Sequence, residues 1–416
     1  MSKLSIDQKS FEILDEADNT KDKLVENQIP YSEGVFNIVT SALPTIFAIL
    51  FQVIIEVINV AFVGNLNDPD AVATLGLSVL TLNAFIIAPG YGILGGIDVL
   101  VATAYGNKQY YLCGVYLNRA RIIQLLVTLP FMILLIFCKP LFKIMGQDPK
   151  VSEMSQLYVW ISLPGMIGAL QFQATKRFMM AQKVFKQITY FQIFLLFQHI
   201  ITSYLFIFKF GIGYLGSALS ATSTNILGFV GLSIILKCTN SVHPDSFHFL
   251  NKDSFKGLRE YMVFGIPSMV MLVIEWVSFE VMGIYAGILG VYPLGAHTIL
   301  SNLMTLFYMI PLGLSFATMA HIGTSLGRGE YKLARRYFYI SYVISGLIAI
   351  ITVFILNYFR KHIFTVYTSD EKILEIIYSS LLAISPMIFF GDLHGNMKGI
   401  FKSIGKQVEA AFYTSF

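Results

Sequence analysis

The stretch SALPTIFAILFQVIIEVINVAFVGNL, residues 41–66, contains a single charged side chain, Glu56. About 20 apolar residues suffice to cross the hydrocarbon core of a bilayer as a helix. A second stretch of this kind, FGIPSMVMLVIEWVSFEVMGIYAGIL, occupies residues 264–289. In both stretches a proline precedes a glycine by the same interval, so that Pro44 and Gly64 recur as Pro267 and Gly287. This similarity predicts a membrane protein with an internal repeat.

The composition extends this prediction to the whole chain. Of the 416 residues, 55% are hydrophobic and 13% are charged, whereas soluble domains carry about 25% charged residues. Residues 260–327 contain no Lys or Arg. In addition to the ten spans given next, an eleventh is predicted to begin near Val408; its residues up to Phe416 are too few to cross the bilayer. Cutting at the polar breaks predicts ten complete spans, near 35–64, 71–105, 114–137, 153–175, 184–208, 212–236, 260–291, 294–326, 337–358 and 374–397.

The distribution of Lys and Arg predicts the orientation. If the amino terminus is cytoplasmic, the loops on that side hold 18 Lys and Arg residues and the outer loops hold 7, as the positive-inside rule expects. We therefore expect an integral protein of the plasma membrane or of a vacuolar or vesicular membrane. The net charge of +4 follows this topology and does not indicate a nucleic-acid partner. The three cysteines have neither a disulfide nor a metal spacing, so no metal or cofactor is expected.

The repeat continues into the next pair of spans. Pro89 recurs as Pro311, and Tyr110 as Tyr331, at nearly the same offset as the first pair. Six spans per repeat is an even number, so the halves run parallel and are related by an axis along the membrane normal. The predicted fold is an all-α transmembrane bundle of two six-helix lobes. Residues 1–34 are predicted to be a flexible cytoplasmic tail and residues 35–237 the first lobe. Residues 238–259 are predicted to be a cytoplasmic linker, and residues 260–416 a second lobe of four helices with part of a fifth.

Four stretches together resemble the eukaryotic branch of the multidrug and toxic compound extrusion (MATE) family: GIDVLVATAYGNKQYYLCGVYLNRA, IEWVSFE, YMIPLGLSFATMAHIGTSLGRGE and GIFKSIGKQ. The resemblance covers about residues 38–412. It implies twelve helices in two lobes, so this chain resembles a member that ends inside the eleventh helix. We expect such a truncated second lobe to be less stable or less active than a chain extended by about two helices.

Five acidic residues lie in the interior of the predicted spans, away from their ends: Glu56, Asp98, Glu275, Glu280 and Asp392. An ionisable residue at this depth is costly and is usually functional. Every Lys and Arg falls in a predicted loop or at a span end, so we expect these carboxylates to lack a built-in counter-ion. Such a carboxylate either takes up a proton or binds a cation from solution. Competition between the two is the chemistry of a proton/cation antiporter.

Glu275 and Glu280 are the main candidates. Their spacing places them about 140° apart around a helix and about 7.5 Å apart along it, so one can hold the proton and the other the substrate. Trp276 lies between them, where an indole either faces an organic cation or simply packs. Glu56 lies one residue from the repeat equivalent of Glu280 and is a candidate first-lobe counterpart. The resemblance implies that both second-lobe glutamates are essential.

The resemblance also implies weaker candidates. Familiar members lack a Glu at the position of Glu56, and prokaryotic relatives have an Asp where this chain has Asn59. Asp392 lies one residue from the register of the family's helix-ten acid and alternatively caps the cytoplasmic helix end. Asp98 is expected to order a helix end, and His199 to pack or to lie at a helix end. Polar residues stand at three positions that line the cavity in the family or make purely structural hydrogen bonds: Asn83, Gln173 and Tyr308. Asn302 stands where animal members have Glu and plant members have Asn.

These observations predict a secondary transporter, not an enzyme, that exports small organic cations in exchange for protons by alternating access, with sodium as the other coupling ion considered. We expect it to work as a monomer in the lipid bilayer. One alternative is a flippase of lipid-linked oligosaccharide, although flippases of that class tend to have a cationic central cavity, which the sequence does not predict here. An intramembrane enzyme with paired carboxylates is another, but no accompanying Asp-pair, Ser-nucleophile or His-cluster motif supports it.

Overall fold

The computed structural model describes residues 29–368 and 370–414, without the side chains of Glu280, Ile284 and residues 412–414. The helices of the first half are α1 (Tyr31–Gly64), α2 (Pro69–Leu82), α3 (Ala88–Gly92), α4 (Gly95–Gly106), α5 (Tyr110–Leu135), α6 (Cys138–Ile144), α7 (Pro149–Ala181), α8 (Lys186–Tyr204) and α9 (Tyr214–Cys238). Those of the second half are α10 (Leu258–Leu289), α11 (Val291–Gly327), α12 (Tyr331–Tyr358), α13 (Arg360–Phe364), α14 (Glu371–Ser403) and α15 (Gln407–Thr414).

Each of the ten predicted spans is helical, which confirms the all-α prediction. Within the described residues, nine helical stretches are long and apolar enough to cross a membrane. The tenth predicted span, α7, has 33 residues but is more polar, with Lys176 and Arg177 near its inner end. The predicted tail, residues 1–34, lies mostly outside the described residues, and α1 already begins at Tyr31.

The second predicted span is interrupted. A π-helical turn at Asn83–Ile87 separates α2 from α3, which has Pro89 in its first turn, and a short break separates α3 from α4. Glycines in this region allow close packing against the second lobe: a Cβ on Gly92 would lie 2.5 Å from Met269, and one on Gly96 would lie 2.6 Å from the Tyr261 ring. The interruption therefore brings α4 directly against α10.

The inner ends of α4 and α11 meet through equivalent residues of the repeat. A Cβ on Gly106 would collide with the backbone oxygen of Thr324, and one on Gly327 with that of Thr103. Gly106 and Gly327 have the same sequence offset as Thr103 and Thr324, and as Tyr110 and Tyr331. Gly106 thus contacts Thr324, and the repeat equivalents of these two residues, Gly327 and Thr103, make the same contact in reverse. The symmetry axis of the repeat therefore passes between α4 and α11.

The apolar clusters indicate a molecule that is closed at one end. The largest cluster joins both lobes and includes Ile93, Ala102, Tyr261 and Phe316. Towards the opposite end, two further clusters each lie within one lobe, the first around Leu75 and the second formed by α11, α13, α14 and the end of α12. The shared apolar core of the two lobes therefore lies at the end predicted to be cytoplasmic, whereas these two clusters towards the other end each belong to one lobe.

The predicted linker packs on the first lobe. Its two 3₁₀ turns, Pro244–Ser246 and Lys252–Phe255, lie against α5. The Tyr111 hydroxyl donates to Asp253 Oδ2 at 3.0 Å, and the Tyr111 ring stacks on His248 with centroids 4.7 Å apart. Ion pairing with Lys256 and the Tyr111 hydrogen bond hold the pKa of Asp253 below its usual range. The connection between the lobes is thus an ordered segment.

Candidate functional site

Glu275 has a counter-ion. Lys398 Nζ lies 2.7 and 2.6 Å from the two carboxylate oxygens of Glu275, and the Tyr308 hydroxyl donates to Oε1 at 3.1 Å. The Lys398 ammonium also lies 5.1 Å from the centre of the Tyr308 ring. The side chains of Glu275 and Lys398 are 16% and 10% exposed. The expectation that the mid-span carboxylates lack a cation is therefore wrong for Glu275.

The extension of α14 explains how Lys398 reaches this position. The prediction ended the tenth span at residue 397 and assigned Lys398 to a loop, but the helix continues to Ser403. Gly395, one turn before Lys398, gives Tyr308 room, since a Cβ there would lie 2.9 Å from the tyrosine ring. The spacing of Gly391, Gly395 and Gly399 is typical of closely packed membrane helices, and it is the sequence signal that could have extended the span.

A second ion pair lies between the lobes. Asp98 on α4 is fully buried, and its Oδ2 lies 2.9 Å from Arg177 Nη1 of α7 and 3.7 Å from Lys402 Nζ of α14. Arg177 also lies over the Phe316 ring, 5.2 Å from its centre. Asp98 therefore joins three helices across the lobe boundary, where the sequence predicted only a residue that orders a helix end. The structure adds Arg177, Lys398 and Lys402 to the candidate site.

The cluster contains more cations than carboxylates. Lys176, which is 2% exposed, has its ammonium 3.0 Å from the neutral Gln52 Oε1. Lys402 interacts electrostatically with both Asp98 and Glu275, so the two ion pairs form one group. Among the described residues, this ionic cluster has four cations and two acids: Lys176, Arg177, Lys398 and Lys402, and Asp98 and Glu275. The expectation that the centre lacks a cationic character is therefore wrong.

Three other candidates form no ion pair with the ionic cluster among the described residues, although Tyr91 interacts electrostatically with both Glu56 and Arg177. Glu56 on α1 is exposed, Trp276 beside Glu275 is half-buried, and Asn302 on α11 is exposed. The backbone of Glu280 lies in α10, but its side chain lies outside the described residues. Its separation from Glu275 around the helix stays a prediction.

Asp392 faces its own lobe. It is 4% exposed, its Oδ2 has no hydrogen-bond partner among the described residues, and its backbone oxygen accepts from Ser345 Oγ at 3.2 Å. It lies eleven residues before the end of α14, so it does not cap that helix. Asn83 begins the π-helical turn. Gln173 is buried on α7, and its Oε1 has no hydrogen-bond partner among the described residues.

A separate polar group lies in the first lobe. His199 is fully buried, with Nε2 3.2 Å from Asn59 Oδ1 and Nδ1 2.9 Å from Thr224 Oγ1. Ser203 and Ser220 lie within hydrogen-bonding distance of the same ring. His199 therefore occupies a polar network around Asn59, whereas the sequence predicted a packing or helix-end residue.

The fold and the site define a class of protein: a helical membrane protein whose two repeated lobes enclose buried charged groups at their boundary. A family model named MatE matches residues 44–205 and 267–416, which is about three quarters of the chain. The chain belongs to the MatE family. The interval between the two matched segments contains α9 and the linker.

Curated relatives carry the names of extrusion proteins. The chain is 26% identical over 380 residues to multidrug and toxin extrusion protein 1 of Oryctolagus cuniculus, which covers 91% of this chain and 66% of that protein. It is 27% identical over 366 residues to the protein of that name from Xenopus tropicalis, with coverages of 88% and 63%. The chain thus spans slightly less than two thirds of these relatives. Both are transporters and not enzymes.

Solved structures share the fold. The eukaryotic MATE transporter AtDTX14 matches with a TM-score of 0.84 and 24% identity, covering 92% of this chain and 85% of that one. A MOP superfamily transporter from Pyrococcus furiosus, described as having a binding pocket of reverse polarity, matches with a TM-score of 0.81, 18% identity and the same coverages. These similarities confirm the predicted helical bundle.

Proposed function

We propose that this chain is a secondary active transporter that exchanges small organic cations for protons by alternating access of its two lobes. The observation that carries the proposal is the largely buried Glu275 carboxylate, held by an ammonium group on a second-lobe helix. Family membership supports the transporter class, and the extrusion relatives support multidrug or xenobiotic efflux. The lobes, which share an apolar core at the end predicted to be cytoplasmic, correspond to one of the two states that alternating access requires.

Glu275 couples the two fluxes in this proposal. A carboxylate that binds a proton loses its charge, and with it the attraction for an ammonium group. Protonation of Glu275 therefore releases a bound cation, and loss of the proton allows the next cation to bind. Glu280, on the same helix, is the second candidate carrier, and Glu56 is the candidate in the first lobe.

The test is uptake of a fluorescent organic cation into vesicles that contain the full chain, with a pH gradient or a sodium gradient imposed separately. We expect uptake to follow the pH gradient. Glu275→Gln keeps the shape of the side chain and removes its charge, so it should abolish the pH response or weaken substrate affinity by about tenfold or more, equivalent to about 1.4 kcal/mol.

Two further variants divide the roles. If the glutamates of α10 act separately, Glu280→Gln should impair the function that Glu275→Gln spares. Glu56→Gln should change the number of protons exchanged without abolishing transport, and Glu375→Gln, at an exposed position of α14, is the matched control. Wild-type rates and pH profiles in both α10 variants, or uptake driven by sodium alone, would contradict the proton mechanism.

The four basic side chains of the ionic cluster, three of them buried, favour a second candidate function, a flippase of lipid-linked oligosaccharide. Their positive charge suits an anionic headgroup that passes between the lobes. Movement of a fluorescent lipid of this class across the vesicle bilayer, without pH-driven uptake of the organic cation, would support the flippase over the antiporter.

A further inference from the structure

The Glu275 carboxylate is already occupied by a cation of the protein itself. Both of its oxygens lie within 2.7 Å of Lys398 Nζ, and Tyr308 donates a third contact at 3.1 Å. A substrate ammonium that binds Glu275 therefore competes with Lys398 for the carboxylate, and it takes the place of Lys398 when it binds both oxygens. The identity of the substrate therefore depends on what happens to the displaced lysine.

Among the side chains that the structure describes, Glu275 is the one acid that pairs with Lys398. The Lys398 side chain is 10% exposed, and Lys402, the next cation on α14, interacts with Asp98, which Arg177 already binds at 2.9 Å. His394, one turn away, adds no negative charge. An ammonium that loses its partner in a buried position keeps an uncompensated charge out of water, which is strongly unfavourable.

A substrate with only a positive charge is therefore poorly matched to this site. It would raise the excess positive charge of the ionic cluster by one and leave Lys398 unpaired. A zwitterion adds no net charge. Its ammonium replaces Lys398 at Glu275, and its carboxylate binds the released Lys398, so that every buried charge keeps a partner.

We propose that the Glu275–Lys398 pair opens to bind a zwitterionic organic substrate, one that carries an ammonium and a carboxylate, and that Lys398 is the residue that selects for the carboxylate. This inference rests on the proposed function, because it assigns the substrate class of the same site. The Tyr308 ring, 5.1 Å from Lys398 Nζ, lies where it can pack against the substrate ammonium once the lysine has moved.

Choline and glycine betaine form a matched pair of probes. Both carry a trimethylammonium group, and betaine has a carboxylate where choline has a hydroxymethyl group. Equilibrium dialysis of each radiolabelled compound against the purified full chain in detergent measures binding without any ion gradient. We expect the wild type to bind betaine at least about tenfold more tightly than choline, since one buried charge contact of about 1.4 kcal/mol separates them.

Variants assign the preference to Lys398. Lys398→Gln should reverse it in favour of choline, Lys398→Arg should keep it, and Glu275→Gln should weaken binding of both compounds. Lys372→Gln, an exposed position on α14, is the control. Size-exclusion profiles establish that each variant is folded, and Lys398→Arg retains the charge if Lys398→Gln fails to fold.

Equal affinity for the two compounds, tighter binding of choline, binding of neither, or an unchanged preference in folded Lys398→Gln overturns the inference. These outcomes differ from failure of the proposed function. Vesicles that take up an organic cation along a pH gradient but lack a preference for betaine would retain the antiporter and exclude the zwitterion site. A preference for betaine without pH-driven transport would retain the zwitterion site and exclude the proton-coupled antiporter.

Discussion

At the scale of single residues, Asp98 decides whether the inner charges are balanced. It is fully buried and lies between Arg177 and Lys402. Removing one partner of a buried ion pair is far more costly than breaking an exposed pair, because the remaining charge stays out of water. Asp98 is therefore a sensitive position for stability.

We predict that Asp98→Asn lowers the free energy of unfolding by about 3–5 kcal/mol, seen as a lower melting temperature in detergent. Arg177→Gln on the same background should recover part of the loss, since it removes one of the unpaired cations. Glu153→Gln breaks an exposed pair with Lys139 and should change stability by less than about 1 kcal/mol. Equal melting temperatures for Asp98→Asn and the wild type would mean that Asp98 does not balance these charges.

At the scale of the helical elements, the linker depends on a glycine of α5. A Cβ on Gly114 would lie 2.6 Å from the backbone oxygen of Ser246 and 2.7 Å from His248 Nε2. Asn118, one turn further, donates to the backbone oxygen of His248 at 3.1 Å. At Gly114 the linker can therefore approach the α5 backbone closely because the helix has no side chain there.

We predict that Gly114→Leu displaces the linker and makes it more sensitive to protease. The rate of cleavage between residues 239 and 257 in the folded protein should rise at least about tenfold, which corresponds to about 1.4 kcal/mol of lost docking. Gly76→Leu, at a position where a Cβ meets nothing within 4 Å, controls for the general effect of leucine. An unchanged cleavage rate would mean that the linker does not depend on this contact.

At the scale of the whole molecule, the inner closure depends on Gly106 and Gly327. Each lies against backbone of the opposite lobe, and the ion pair between Arg119 and Glu260, 3.3 Å apart, crosses the same boundary. A side chain at either glycine would force the inner ends apart. The balance between the two states of the lobes should therefore shift.

We predict that Gly106→Val opens the inner end. Ser325, 2% exposed in this state, can be replaced by cysteine in a chain whose exposed native thiol is removed by Cys238→Ser. The thiol at position 325 should then react with a water-soluble maleimide at least about tenfold faster in Gly106→Val than in the parent. Gly346→Val, where a Cβ meets nothing within 4 Å, should leave the rate unchanged. Slow labelling in Gly106→Val would contradict this role of the glycine contact.

The sequence by itself determined where the long apolar helices lie, and it indicated the repeat. A span is recognised from local composition, because the bilayer imposes the same requirement of about 20 apolar residues everywhere. The offset prolines and tyrosines indicated the repeat, and Tyr110 and Tyr331 indeed each begin a helix. The acids Glu275 and Asp98 were recognised as candidates because each lies within a long apolar stretch of the sequence.

Only the tertiary structure decided which charges meet. Lys398 is 123 residues from Glu275, and Arg177 is 79 residues from Asp98, so no local pattern links the partners. Lys398 and Arg177 were assigned to loops because Lys and Arg at helix ends resemble loop residues, whereas α7 and α14 continue inward and bury them between the lobes. Burial and pairing depend on how whole helices pack, and that packing turned a set of apparently unpaired acids into an ionic cluster with excess positive charge.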